Sequence, residues 1–283
     1  TMEAFQDPHL EEIGWHNFLG MTVGQAVLWA ATDVDPKYEN PELTTSEPYV
    51  MGSHATGCGA WCSGPEDVSP PEYFWGYNRM TSVAGLFGAG DAVGGTPHAF
   101  SSGSFTEGRL SAKAACKYID DGKGEGIVVS SKQIEDRKKE IYKPLETYTV
   151  GRNEIVAGTV NPNYINPRQG LDRLQKLMDE YCGGFGVNYM TNDKLLQIGL
   201  KKMKILGEDL EKVAAEDIHE LLRAWELKHR FLTSESVFQH TLFRKETRWP
   251  GYYYRGDAMK LDDENWHVLT VSRRDPKTGE YTM

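Results

Sequence analysis

Residues 85–109, GLFGAGDAVGGTPHAFSSGSFTEGR, hold the densest set of groups able to do chemistry in this chain. Gly88, Gly90, Gly94 and Gly95 remove side chains where the backbone must turn and let a large ligand approach. Asp91 lies inside that cluster, where a carboxylate can accept hydrogen bonds from ligand hydroxyls. Ser104-Phe105-Thr106-Glu107 has the spacing of a capping box and predicts a helix running through Arg109, Ala112 and Ala115 to a stop near Gly122. The N–H groups of Ser104 and Phe105 would then lack partners within the helix and could donate to a ligand carbonyl. The positive end of the helix would favour negative charge there. Residues 83–89 are short, apolar and partly β-branched, which predicts a buried strand. Together these features describe a site for a polar, anionic, planar ligand. The same pattern also fits a glycine-rich αβ connection without a ligand. Gly88, Gly90 and Gly94 give G-x-G-x-x-x-G, one residue longer than the dinucleotide fingerprint, so spacing alone does not make this a nucleotide-phosphate loop.

Two histidines stand near this segment. His54 lies in GSHATGCG, where small neighbours let the backbone pack against a ligand while one imidazole projects. A loop histidine bonded to backbone is the alternative. His98 follows Thr96-Pro97, just before the helix, and either faces the ligand or ties down the loop. Cys58-x-x-x-Cys62 has the form of a metal half-site, but no second Cys/His pair has matching spacing, so no metal is expected. Near the end, Arg244, Arg248 and Arg255 interleave with Glu246, Trp249 and Tyr252, Tyr253 and Tyr254. That pattern suits anion or aromatic-base recognition. The preferred reading is an ion-pair lattice or interface that fixes the tail onto the domain of the glycine-rich segment, and the aromatics also suit a protein–protein surface.

The elements that must position these groups belong to a chain of 283 residues with net charge −10. An acidic chain of pI about 5.3 argues against nucleic acid or an anionic membrane surface as a main partner. Mean hydropathy is −0.53 and no apolar run approaches membrane-spanning length. Four scattered cysteines do not make a disulfide framework and fit a reducing cytoplasm.

The motifs also carry a family likeness. GLFGAGDAVGG followed by a serine-rich helix start resembles the second flavin-binding segment of the succinate dehydrogenase and fumarate reductase flavoprotein superfamily. GSHATGCGAW (52–61), SGPEDVSPPEYFWGYNRM (63–80), GGTPHAFSSGSFTEGR (94–109) and RKETRWPGYYYRGD (244–257) resemble the alpha subunits of dissimilatory adenylylsulfate reductases within it. The resemblance implies FAD as cofactor and interconversion of adenylylsulfate with sulfite and AMP through a flavin N5–sulfite adduct. It implies an iron–sulfur beta subunit as partner, a cytoplasmic heterodimer and an indirect link to a membrane electron-transfer complex. His54, in register with the superfamily's anion-binding histidine, becomes the catalytic residue that stabilises or protonates the sulfonyl oxygens. Gly90, Asp91, Gly94, His98, Ser101, Ser104 and Phe105 become the cofactor-binding set, with Asp91 on the ribityl hydroxyls. Relatives acting on dicarboxylates carry an Arg just before this helix; that position falls on Ala99, which speaks against the dicarboxylate alternative. A second alternative is a non-catalytic scaffold or docking fragment when isolated.

The expected fold class is α+β or α/β: the C-terminal part of an FAD-binding domain followed by a helical bundle. Residues 1–48 are expected to end a substrate-covering domain, with a Pro- and Asn-rich linker from Asp33. Residues 49–124 form the second flavin-binding segment, and 125–283 a helical domain with a wrapping tail. Charged or amphipathic periodicity predicts helices over 131–142, 169–181, 192–206 and 216–231, with Gly183-Gly184 ending the second. The sequence holds no G-x-G-x-x-G, which a dinucleotide flavin needs for its pyrophosphate. The chain is therefore read as the C-terminal portion of a larger flavoprotein, ending slightly short of the natural C-terminus.

Overall fold

The computed structural model describes Glu12, 29–31, 33–35, Tyr38, 59–94, 100–153, 160–248 and 253–283; the side chains of Asp91, Phe100, Ser101 and Ser102 are not among the described groups. The chain divides into two compact units, Thr1–Tyr49 and Val50–Met283. In the first, Trp29 is buried and its carbonyl accepts from the Val34 N–H at 2.9 Å.

The second unit is dominated by helices. Among the described residues they are, in chain order, α1 (Phe100–Asp120), α2 (Ser131–Gly151), α3 (Pro167–Cys182), α4 (Asp193–Leu210), α5 (Ile218–Phe243) and the short α6 (Asp263–Trp266). Strands are two residues long: β1 (Met190–Thr191) pairs in parallel with β2 (Tyr254–Arg255), and β3 (Arg273–Arg274) pairs antiparallel with β4 (Tyr281–Thr282). No helix among the described residues is long and apolar enough to cross a membrane.

The helix ends follow local chemistry. Ser130 and Gln133 form a capping box at α2, and Asn166 and Gln169 form one at α3, where Pro167 occupies the first helical position. Gly183 ends α3 in the left-handed conformation, at φ +90°. Asn192 caps α4 and Asp217 caps α5, each accepting from the backbone N–H three residues on. Three faces then close one core: Leu174 and Leu177 from α3, Leu196, Met203 and Leu206 from α4, and Ala224, Leu227 and Phe238 from α5. α5 runs twelve residues beyond the expected Phe231. Phe238, fully buried in this core, extends the apolar stripe past the point where Thr233, Ser234 and Ser236 blur it.

The tail after α5 is fastened to the bundle by charge. Arg255 is fully buried. Its Nε and Nη2 each donate to the Asp257 carboxylate at 3.0 Å, and its Nη1 donates to the carbonyls of Arg244, at 2.7 Å, and Thr241. Asp257 in turn accepts from the Asp193 N–H at 3.0 Å, at the start of α4. Glu246, also buried, accepts from Arg244, Arg248 and the Asp262 N–H. Burial pushes the Glu246 carboxyl up, and the bonds from Arg248, the Asp262 amide and Arg244 outweigh it and leave it lowered. The arginine-rich segment is thus an ion-pair lattice. It docks onto α4 and α5 of the bundle, whereas the sequence reading had it fixing the tail to the flavin segment.

Arg255 beside Asp257 holds that carboxyl at about 2, against an ordinary 3.8. A depressed folded-state value contributes stability above about pH 4 that fades as pH falls through about 2. The stability difference between the native chain and Asp257→Asn should therefore shrink across that window in acid-unfolding curves. A difference that stays constant from pH 5 to about 2 would refute the assignment.

Candidate functional site

The segment 59–94 folds as a set of short extended runs rather than a sheet. Ala60 bridges Val93 in parallel: the Ala60 N–H donates to the Ala92 carbonyl and the Gly94 N–H to the Ala60 carbonyl, both at 2.9 Å. Met80 bridges Phe87 antiparallel, with the Thr81 N–H on the Leu86 carbonyl and the Gly88 N–H on the Arg79 carbonyl, again at 2.9 Å. Ser63, fully buried, ties the first run to the second: its N–H donates to Met80, its carbonyl accepts from Arg79, and its hydroxyl accepts from the Trp75 N–H at 2.8 Å.

The buried strand expected over 83–89 is absent. Val83 and Leu86 are 59% and 54% exposed, and the Leu86 N–H closes a turn onto the Val83 carbonyl at 3.0 Å. Gly85 takes φ +78° at the third position of that turn, a conformation glycine supplies freely. The apolar run was too short to distinguish a strand from a turn flanked by two bridges.

Gly59 and Gly94 are needed by the chain itself. A Cβ on Gly94 would come within 2.7 Å of the Gly59 carbonyl oxygen, and one on Gly59 within 2.6 Å of the Ala92 carbonyl oxygen, so the two backbones cross only without side chains. Gly90, at φ +67°, opens a single 3₁₀ turn over Gly90–Ala92 that packs on α1, and a Cβ there would stand 3.6 Å from the Ser104 hydroxyl oxygen. The turn that holds Gly90 and the Asp91 backbone therefore does meet Ser104, whereas Gly94 packs on Gly59. Ser104 is exposed, and Phe105 is 81% exposed. His54 and His98 lie outside the described residues, as does Ala99.

α1 begins at Phe100, four residues before the expected start. Ser104 is inside the helix, so its N–H faces the Phe100 carbonyl and that of Phe105 faces Ser101. The N–H groups without a partner inside the helix belong to the first turn, which includes Phe100, Ser101 and Ser102. Glu107 caps nothing. It is buried and paired with Arg79: Nη2 donates to Oε1 at 2.9 Å, and Nε stands 2.5 Å from Oε2. The sequence reading missed Arg79. The available signal was Glu107 sharing one helical stripe with Leu110 and Ala114, at i+3 and i+7, which makes it a carboxylate on the buried side of the helix and in need of a cation.

The far end of α1 is held by aromatic contacts. Tyr118 meets Tyr77 and Phe87 edge-on, at ring distances of 5.1 and 5.8 Å, and the Tyr77 hydroxyl donates to Asp121 at 2.9 Å. Cys62, buried, lies so close to Gly88 that a Cβ there would come within 2.6 Å of its sulfur. Its thiol is raised by burial, so it is a packing group rather than a ligand. No group of three His, Cys, Asp or Glu side chains among the described residues could hold a metal.

This arrangement has relatives. Residues 171–283 match the family model described as fumarate reductase flavoprotein C-term. The adenylylsulfate reductase alpha subunit of Megalodesulfovibrio gigas is 43% identical over 99% of this chain and 43% of its own length. The solved adenylylsulfate reductase of Archaeoglobus fulgidus is 47% identical, with TM-score 0.78, over 99% of this chain and 45% of that one. An adenosine-5-phosphosulfate reductase solved with sulfite as a covalent adduct matches equally well, with the same identity, TM-score and coverage. The chain thus spans less than half the length of these relatives. Over residues 171–283 the chain is similar to the C-terminal part of fumarate reductase flavoproteins, and over nearly its whole length its likeness runs to adenylylsulfate reductase, the matched Megalodesulfovibrio gigas relative being that enzyme's alpha subunit.

Proposed function

We propose that this chain forms the flavin-ring side of an FAD-dependent adenylylsulfate reductase alpha subunit, with activity residing in a polypeptide of the relatives' length. The observation that supports this most is 43% identity across 99% of the chain, with the long motifs of the site included. The donor set at the start of α1 fits a flavin. The first turn of α1 carries N–H groups with no partner inside the helix, at its positive end, and the Gly90–Ala92 turn packs against α1 at Ser104. These groups would hold the carbonyl rim of the ring, with Ser101 in the donating turn and Gly90 and Gly94 shaping the approach. Asp91 would accept from the ribityl hydroxyls. His98 would contact the ring or the ribityl chain, and the exposed Phe105 and Ser104 would border the site.

Bound FAD supplies the two-electron chemistry that interconverts adenylylsulfate with sulfite and AMP. The chain's own share is orientation and charge stabilisation: the α1 terminus favours negative charge on the ring, and His54 donates to the sulfonyl oxygens. Ala99 leaves no carboxylate clamp at the position where dicarboxylate-using relatives carry Arg. Electrons would arrive from an iron–sulfur beta subunit. The domain limits of the proposal are 1–48 for the covering domain, 49–124 for the flavin segment and 125–283 for the helical domain. A cytoplasmic location suits the free thiols of Cys62, Cys116 and Cys182.

The test is the polypeptide at full relative length, assembled with its beta subunit. It should hold one FAD and reduce adenylylsulfate, with no turnover of fumarate or succinate. The 283-residue chain alone should bind FAD weakly or not at all, because the pyrophosphate fingerprint is not within it. A stoichiometric yellow complex of nanomolar affinity from the 283 residues would contradict that expectation. Fumarate turnover by the full assembly would overturn the substrate assignment.

A further inference from the structure

Resting on the flavin reading above, we infer that Arg79 and Glu107 are a positioning pair that keeps the N-terminal turn of α1 electrostatically positive toward the flavin and thereby sets its reduction potential. Glu107 lies seven residues into α1, about 10 Å along the axis from Phe100 at about 1.5 Å per residue. A lone buried carboxylate at that range opposes the positive end of the helix. Arg79 cancels it at contact distance, with the two side chains only 13% and 8% exposed, so solvent and salt screen the pair little.

The backbone is arranged to deliver this cation. Arg79 adopts φ +62°, a left-handed conformation uncommon for a residue with a Cβ. Its N–H donates to the Ser63 carbonyl at 2.6 Å and its carbonyl accepts from the Gly88 N–H at 2.9 Å, which lock the conformation from both sides. The residue before the second bridge is therefore held out of extended geometry and supplies the partner of the buried carboxylate. Cys62, the titratable neighbour that senses both charges, is held as a neutral thiol, chiefly by burial, and adds no charge to the balance. The pair also joins the 59–94 segment to α1, so one contact both helps to orient the helix and neutralises its buried carboxylate.

The prediction has a signature that packing alone does not produce: opposite signs for the two halves of the pair. In the full-length subunit, the FAD-to-protein ratio is measured first, and then the flavin midpoint potential by redox titration against an indicator dye. Arg79→Met leaves an extra negative charge and should lower the reduced-to-oxidised ratio at fixed potential, on the order of tenfold, the effect at an effective dielectric of about 20 of one unit charge about 10 Å from a ring seated at the α1 terminus. Tenfold is about 30 mV for a two-electron couple. Glu107→Gln should raise the ratio by a comparable factor. The double variant should lie nearer the native value than either single variant, and Arg79→Lys should stay close to native. If Arg79→Met fails to fold, the rise in Glu107→Gln and the constancy of Arg79→Lys still decide the matter. Flavin present with unchanged potentials, or both single variants moving in one direction, overturns the inference while leaving the flavin reading intact. A native subunit without FAD overturns the flavin reading itself.

Discussion

His54→Ala, in the full-length subunit assembled with its partner, is expected to lower kcat by about 10²–10⁴-fold while FAD content stays near normal. The expectation starts from GSHATGCG, in which one imidazole stands among small residues and is the only side chain of that run that can deliver a proton near neutral pH as well as donate a hydrogen bond, beside the hydroxyls of Ser53 and Thr56. The loop enters the described region at Gly59, where the backbone crosses Gly94 at the edge of the glycine turn. The His54 loop is therefore tethered, five residues on, to the segment proposed to face the flavin ring. A donor aimed at charge that develops on sulfonyl oxygens acts on the chemical step, so kcat should fall more than KM rises. His98→Ala should act differently, through flavin retention, since His98 sits two residues before α1. Measuring kcat, KM and bound FAD for both variants separates the roles. Near-native turnover in His54→Ala, or flavin loss in place of turnover loss, would show the roles to be wrongly assigned.

The second large effect is on stability. Arg255→Met should destabilise the chain by about 3–5 kcal/mol, because breaking a buried ion pair from one side leaves the other groups unpaired. Arg255 serves the Asp257 carboxylate and the carbonyls of Thr241 and Arg244, and Asp257 would keep only the Asp193 N–H and weaker neighbours. The carbonyl of Arg244 sits where α5 ends, so the loss falls on the point at which the tail leaves the bundle. The fall in Tm should be about 6–20 °C, at about 2–4 °C per kcal/mol for a domain of this size. Limited proteolysis should open the tail after residue 244 before the bundle, whose apolar core does not include Arg255. A loss under about 1 kcal/mol, or cleavage appearing first within α3 or α4, would refute this account.

Much of this was legible in the sequence because it depends on neighbours a few residues apart. The bundle helices follow from apolar residues recurring at helical spacing, and Gly183 ends α3 where the sequence places its stop, whereas the caps at Asn166 with Gln169 and at Asp217 were seen only in the structure. The glycine turn, the helix after it and the family likeness were equally local, since each is carried by contiguous motifs. What the sequence could not decide depended on residues far apart along the chain. Whether residues 83–89 formed a strand depended on pairing partners, and Met80 offered Phe87 one bridge and no ladder. Ser104 and Glu107 had the spacing of a capping box, but the helix started at Phe100 and Glu107 was claimed by Arg79, 28 positions earlier. Arg255 was legible as a member of an ion-pair lattice, but that it is fully buried, between Asp257, the Thr241 carbonyl and the end of α5, was decided by the fold. Short-range periodicity and capping are properties of the chain, whereas burying a charge needs a counter-charge that only the folded arrangement can bring to it.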